Sequence, residues 1–258
     1  MIRIENVSAG YLKKQILKNI NLNIEKNSFF GIIGKNGSGK STLLKVIARV
    51  LRPYSGNVFI NLQNIDSFLR KDFAQQLSFL PQYVDTSLNL PVKDFIMFGR
   101  YPYMKVFKIP TQKDYAVVNK VVDFLKLSHF LNREVNELSS GEKQLVLIAQ
   151  VLVQETDVIL FDEPTSYLDI GKQNAVLGVL REVNIKFNKT IILSLHDLNA
   201  ASEFCDKVAL MENGKVYKYG KTKEVLNVQN IEKIYDVKVI VGENPISKKT
   251  FVLPITNK

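Results

Sequence analysis

Apolar and polar positions alternate at the start of the chain, in Ile2-Arg3-Ile4-Glu5-Asn6-Val7 and again in Ile20-Asn21-Leu22-Asn23-Ile24. That is the period of a strand with one buried face. Phe29-Phe30-Gly31-Ile32-Ile33 is apolar throughout, which predicts a short strand covered on both faces. A glycine-rich loop follows, then a helix expected over about 41–51. Further strands are expected at 58–61, 77–80, 158–162, 190–194 and 208–212. Between 92 and 153 helical spacing takes over, and Thr111-Gln112-Lys113-Asp114 has the form of a capping box. Past Gly220 a short helix-like segment precedes expected strands at 236–241 and 250–255. Strands alternating with helices predict an α/β domain around a mainly parallel sheet, with the helical stretch inserted into it.

Composition narrows this without changing it. The 258 residues suit one large α/β domain or two small ones. With 46% hydrophobic residues the chain can bury a sizeable core, which excludes disorder as a description of the whole. A single cysteine, Cys205, excludes an internal disulfide, and no Cys/His cluster offers a structural zinc site. Cys205 itself reads as a small core residue on an amphipathic helix. The first residues hold no positive segment before an apolar run, so no signal peptide is expected. The most apolar stretch, 145–153, is interrupted by Gln150 and is too short to span a bilayer. A cytoplasmic chain that does not itself cross a membrane is expected. The net charge of +10 fits either a lysine-rich solvated surface or an anionic partner: nucleic acid, acidic lipid or a phosphorylated ligand.

Chemistry enters at Gly34-Lys35-Asn36-Gly37-Ser38-Gly39-Lys40-Ser41-Thr42, which fits G-x-x-x-x-G-K-[ST] between a buried strand and a helix. Glycines let the loop fold so that successive N–H groups point at phosphate oxygens, and the helix adds its positive end. Lys40 would neutralise the β- and γ-phosphates, and the Ser41 hydroxyl would ligate Mg²⁺. The apolar run Val158-Ile159-Leu160-Phe161 ends in Asp162 and Glu163. Adjacent strand residues face opposite sides, so the two carboxylates need not compete. Asp162 would hold Mg²⁺ through its water shell, and Glu163 would orient and polarise an attacking water.

Leu138-Ser139-Ser140-Gly141-Glu142-Lys143-Gln144 resembles the Leu-Ser-Gly-Gly-Gln signature of the ATP-binding-cassette (ABC) ATPases. In the same likeness Tyr11 matches the aromatic that stacks on adenine and Gln82 the Q-loop glutamine. Ser166-Tyr167-Leu168-Asp169 matches the D-loop and His196 the switch histidine; His129 carries no motif and reads as surface. Two departures stand out: Ser140 replaces a glycine and Glu142 a glutamine. Ser139 and Glu142 also form an S-x-x-E capping box, compatible with a helix N-terminus that receives a phosphate.

The resemblance implies an α/β P-loop ATPase fold with a mainly parallel central sheet, an N-terminal antiparallel β region and an inserted helical subdomain. The implied division is 1–84 and 156–220 for the nucleotide-binding core, 85–155 for the helical subdomain and 221–258 for a short tail. It implies ATP and Mg²⁺ as ligands. By the same resemblance ATP would be bound by Tyr11, Gly34, Asn36, Gly37, Ser38, Gly39, Lys40, Ser41 and Thr42, and the metal by Ser41, Gln82 and Asp162. Glu163, His196 and Gln82 are the implied catalytic residues. Ser139, Ser140, Gly141, Glu142 and Asp169 would act on the nucleotide of a second copy, in a head-to-tail homodimer. The further partners are integral membrane permease subunits and, indirectly, a substrate-binding protein, at the cytoplasmic face of the membrane; no nucleic acid is expected. The segment Val92 to Tyr103, Leu168-Asp169-Ile170-Gly171-Lys172-Gln173 and the tail resemble the importers of iron chelates, haem and vitamin B12. Zinc and manganese importers share some of these features. A non-transport ATPase, such as one serving iron–sulfur cluster assembly, and a nucleic-acid-handling ATPase are the competing classes. Neither long coiled coils nor a second cassette is present to favour the last. Phe95 and Phe98 are expected in the core, whereas Tyr101-Pro102-Tyr103-Met104-Lys105, with Phe107 beyond it, reads as a permease-docking loop.

Overall fold

The alternating N-terminal runs pair with each other. The computed structural model describes residues 1–12, 14–86, 89–104 and 109–255. In it β1 (Ile2–Tyr11) and β2 (Lys14–Ile24) are antiparallel, with Ile2, Ile4 and Val7 turned into the core. β3 (Phe29–Gly34) is buried along its whole length and leads through the glycine loop into α1 (Lys40–Ile47). That helix is shorter than expected, because Arg49 takes a left-handed conformation (φ 58°). β4 (Ser55–Ile60) and the two-residue β5 (Gln63–Asn64) complete a four-stranded antiparallel sheet ordered β2-β1-β4-β5. α2 (Arg70–Gln76) then leads into β6 (Leu77–Leu80).

The helical stretch contains α3 (Val92–Met97), a 3₁₀ helix over Phe98–Tyr103, α4 (Gln112–Phe124) and α5 (Ser140–Leu152). The capping box at α4 is formed: the Thr111 N–H donates to Asp114 Oδ2 at 2.9 Å. β7 (Val158–Asp162), α6 (Ile170–Phe187), β8 (Thr190–Ser194), α7 (Leu198–Phe204), β9 (Lys207–Glu212) and β10 (Lys215–Lys221) follow. The tail holds α8 (Thr222–Val225), α9 (Val228–Tyr235) and the hairpin β11 (Val239–Glu243) with β12 (Thr250–Pro254). β11 starts later than its sequence pattern suggests, since Asp236 ends α9 at φ 56°. Cys205 is buried as expected, but it lies just past α7 in an extended conformation rather than on a helix.

The main sheet runs β10-β9-β3-β8-β7-β6, parallel except for β10. Alternation along β3 explains its unbroken apolarity. Phe29 and Ile33 enter the core beneath the helical stretch, α6 and α7, while Phe30 and Ile32 enter the one shared with α1 and the antiparallel sheet. A parallel strand between two packed layers has no polar face. The C-terminal ends of β3, β7 and β8 therefore meet at one edge, where ligands bind in open α/β sheets.

Candidate functional site

At that edge the loop after β3 wraps back on its own lysine. Lys40 Nζ donates to the carbonyls of Gly34 (2.9 Å) and Lys35 (3.3 Å). Burial pushes its ammonium below the usual lysine range, against the opposing pull of the Glu163 and Asp162 carboxylates. The cation is thus desolvated and faces two acids, an arrangement that an incoming polyphosphate satisfies better than water does. Gly39 caps α1 at φ 105° without a side chain, leaving the first N–H groups of the helix open. A Cβ at Gly34 would collide with the Met211 carbonyl, so the close approach of loop and β9 requires glycine there. The Ser38 hydroxyl is buried without a hydrogen-bond partner among the described residues, a group that a phosphate oxygen would satisfy.

The register of β7 on β8 places Asp162 opposite Ser194. Ser194 Oγ donates to Asp162 Oδ1 at 2.7 Å, and Ser41 Oγ donates to the same oxygen at 2.9 Å. Glu163 leaves the strand with φ 48°, so its carboxylate turns away from that of Asp162. Its N–H donates to Ser194 Oγ at 2.8 Å. Its Oε2 accepts from Gln82 Nε2 (2.8 Å) and from Ser166 Oγ (2.9 Å). One serine therefore ties the Asp162 carboxylate to the Glu163 backbone, and Gln82 and Ser166 hold the catalytic candidate through one of its oxygens. Ser194 and the hydroxyl of Ser166 were not among the expected site residues. Their signal was faint: Ser194 is the one hydroxyl closing an apolar run, and Ser166 sat inside a motif read as a whole.

Lys40, Ser41, Gln82 and Glu163 open on a cavity of about 380 Å³, lined also by Tyr11, Ile16, Asn36, Gly37, Gly39 and Thr42; Gly34, Ser38 and Asp162 stand behind that lining. Tyr11, at the end of β1, keeps a partly exposed ring, with Lys45 Nζ 5.8 Å from its centroid. Among the described residues no group of three or more His, Cys, Asp or Glu could hold a metal ion. Ser41 and Asp162 instead offer one hydroxyl and one carboxylate side by side. That set suits Mg²⁺, which commonly takes one or two protein oxygens and completes its shell with phosphate and water.

His196, the signature residues and Asp169 lie away from this lining as well. His196 is exposed, two residues past β8, and its imidazole makes no hydrogen bond among the described residues. Ser139 and Ser140 are exposed at the N-terminus of α5, with Gly141 and Glu142 beside them in its first turn. The Ser139 N–H donates to Glu142 Oε2 at 2.7 Å, and the Ser139 hydroxyl together with this N–H holds the Glu142 carboxyl below its usual range. Gly141 sits under the stem of Lys172: a Cβ there would come 3.0 Å from Lys172 Cδ. Asp169 caps α6, accepting from the Lys172 N–H at 2.9 Å, and pairs with the Lys172 ammonium at 3.3 Å.

The expected docking segment needs correction. It is a 3₁₀ helix, not a loop, as far as Tyr103. Tyr103 is not free, because its hydroxyl donates to the Gln154 carbonyl at 2.9 Å and its ring lies 4.1 Å from the Arg100 guanidinium. Tyr101 is 78% exposed. Phe95 is buried as expected, whereas Phe98 is half exposed. Lys105 and Phe107 lie outside the described residues.

Residues 17–166 match the family model described as "ABC transporter". The chain is similar to the ferric enterobactin transport ATP-binding protein FepC of Escherichia coli (strain K12), 33% identical over 98% of this chain and 94% of that one. It is also similar in structure to a chain of a putative metal-chelate type ABC transporter in an inward-facing conformation. That match has a TM-score of 0.86 and 28% identity, and covers 99% of this chain and 97% of that one. A third likeness is to the ATP-binding cassette MJ0796, in a dimeric post-hydrolysis state bound to ADP and Pi. Its TM-score is 0.75 and its identity 27%, and it covers 86% of this chain and 99% of that one.

Proposed function

Because the chain belongs to the ABC transporter family and is an ABC-type ATPase coupled to transport, we propose that it energises the import of an iron chelate or a related metal complex through separate permease subunits. The observation that carries the reading is the split of the motifs between two faces. Tyr11, Lys40, Ser41, Gln82 and Glu163 line one cavity, and the signature residues do not line it. A second copy, turned head to tail, supplies the signature to the first copy's nucleotide and receives the same in return. Such an arrangement is two-fold symmetric. The dimeric ADP-bound cassette supports it, and the names of the ferric enterobactin and metal-chelate relatives support the substrate class.

In this reading ATP stacks on Tyr11, and its phosphates enter the loop from Gly34 to Thr42. Ser41, Asp162 and Gln82 would hold Mg²⁺, which would supply neutralisation of the phosphate charge. Lys40 compensates the β- and γ-phosphates. Glu163, with one oxygen occupied by Gln82 and Ser166, uses the other to orient and polarise the attacking water. His196 contacts the γ-phosphate. From the second copy, Ser139, Ser140, Gly141, Glu142 and Asp169 close over the nucleotide. Residues 1–84 and 156–220 make the nucleotide core, 85–155 carry the signature, and 221–258 form the tail. Among the described residues no helix is long and apolar enough to cross a membrane, so contact with the membrane runs through the permease, met by the exposed Tyr101 and Phe98. Co-purification with permease subunits, followed by ATPase assays with chelate-loaded binding protein, tests the reading. Stimulation by ferric chelates supports it, and Tyr101→Ser is expected to weaken the complex. Failure to associate with any integral membrane protein overturns it.

A further inference from the structure

His196 presents a problem of positioning. Its imidazole has no hydrogen-bonded orienter among the described residues, so the backbone on either side must place it. Upstream, the Leu195 N–H donates to the Ile32 carbonyl at 3.0 Å, which ties the loop to β3. Downstream, the Asp197 carboxylate caps α7 by accepting from the N–H groups of Asn199 (2.7 Å) and Ala200 (3.1 Å). α7 has only seven residues, and a helix that short is held by its neighbours rather than by its own bonds.

The neighbour on its outer side is the C-terminal hairpin. Asn199 Nδ2 donates to the Val252 carbonyl at 3.2 Å, and the Val252 N–H donates to Asn199 Oδ1 at 2.8 Å. Val252 stands opposite Val241 in the β11–β12 register. Both of its backbone groups turn outward to Asn199, so the side-chain amide continues the ladder at the free edge of β12. A second bond, Ser247 Oγ to Glu203 at 2.8 Å, joins the hairpin turn to the last turn of α7. The tail also reaches the phosphate loop. Burial pushes the Tyr235 hydroxyl up to about 12, and the Gly34 backbone pulls against that rise.

We propose that Asn199 is a positioning residue for the hydrolysis reaction: by clamping β12 to the first turn of α7 it fixes the loop that carries His196. The tail thereby sets turnover without touching nucleotide. This rests on the assignment of His196 to the γ-phosphate. Because Asn199 is exposed and outside the ATP cavity, its loss should leave nucleotide affinity and the core intact.

The test compares the full-length wild type with Asn199→Ala, Asn199→Asp and His196→Ala, in steady-state ATPase assays and thermal melts. Asn199→Asp keeps the shape but sets a carboxylate oxygen against the Val252 carbonyl, so it should behave like Asn199→Ala. Both are expected to lose about five- to tenfold in kcat with KM for ATP changed by less than about twofold, and to melt near the wild-type temperature. The inference is overturned if both retain wild-type kcat while His196→Ala does not. It is equally overturned if Asn199→Asp alone retains it, since shape and not bonding would then matter, or if KM rises as kcat falls. Wild-type turnover in His196→Ala would overturn the histidine assignment beneath it.

Discussion

The phosphate-loop face and the signature face of this chain are built in opposite ways. On the first, every acid already has partners. Asp162 accepts from Ser41 and Ser194, Glu163 accepts from Gln82 and Ser166, and Lys40 is folded onto its own loop. On the second, Ser139 and Ser140 are exposed, and the local bonds are those of the capping box between Ser139 and Glu142. Order on that side lies deeper. Arg100 is buried and donates to Asp114 (3.0 Å), to the Val153 carbonyl (2.6 Å) and to Glu155 (2.8 Å), tying the start of α4 to the end of α5. A preorganised chemical face thus stands beside a rigidly backed but chemically open face, as expected when the second is completed by another molecule.

Substituting one residue on each face sharpens that contrast. Glu163→Gln should give the largest effect, a loss of turnover of about 10²–10⁴-fold with ATP affinity retained, because the carboxylate acts on the attacking water and not on bound phosphate. It should also accumulate an ATP-bound dimer, visible by size-exclusion chromatography. Unchanged turnover would remove Glu163 from the reaction. Arg100→Ala should instead act on stability, costing about 3–5 kcal/mol in denaturant unfolding, since it strands the buried Asp114 carboxylate. A loss within that of an ordinary surface change would show that the node does not organise the signature side.

The same node predicts a pH dependence. Burial pushes the Asp114 carboxyl up, but the Thr111 hydroxyl and N–H and the Arg100 guanidinium outweigh it and hold the group below its usual range. A depressed carboxyl stabilises the fold above its unfolded pKa, and that contribution is lost as pH falls through the folded value. The stability gap between wild type and Asp114→Asn should therefore be full at neutral pH and shrink below about pH 4. A gap constant with pH would assign the effect to packing. The smallest change is expected for Ser140→Gly, a few-fold gain in ATP-driven dimerisation on the Glu163→Gln background. Equal dimerisation would make the serine neutral.

Legibility followed the range over which each feature is encoded. The phosphate loop, the acid pair and the cap at Thr111 each occupy a few consecutive residues, and each stands where its pattern puts it. α6 was harder to see: two glycines and two asparagines blur its apolar stripe, and it is held by contacts to the sheet. Tyr103 misled for a related reason. A proline-marked aromatic pair looks like an exposed loop, yet a buried guanidinium and the Gln154 carbonyl draw one of the two rings inward.

By itself the sequence determined the chemistry that neighbouring residues share: a strand ending in a glycine cradle, a helix to receive it, and an acid pair closing an apolar run. Local backbone preference and alternation are enough for these. Only the tertiary structure decided that Ser194 bridges Asp162 and Glu163, that Arg100 joins two helices, and that the tail clamps the turn after His196. Those meetings depend on strand register and helix packing between segments far apart in the chain, and no local pattern specifies which distant side chain stands opposite.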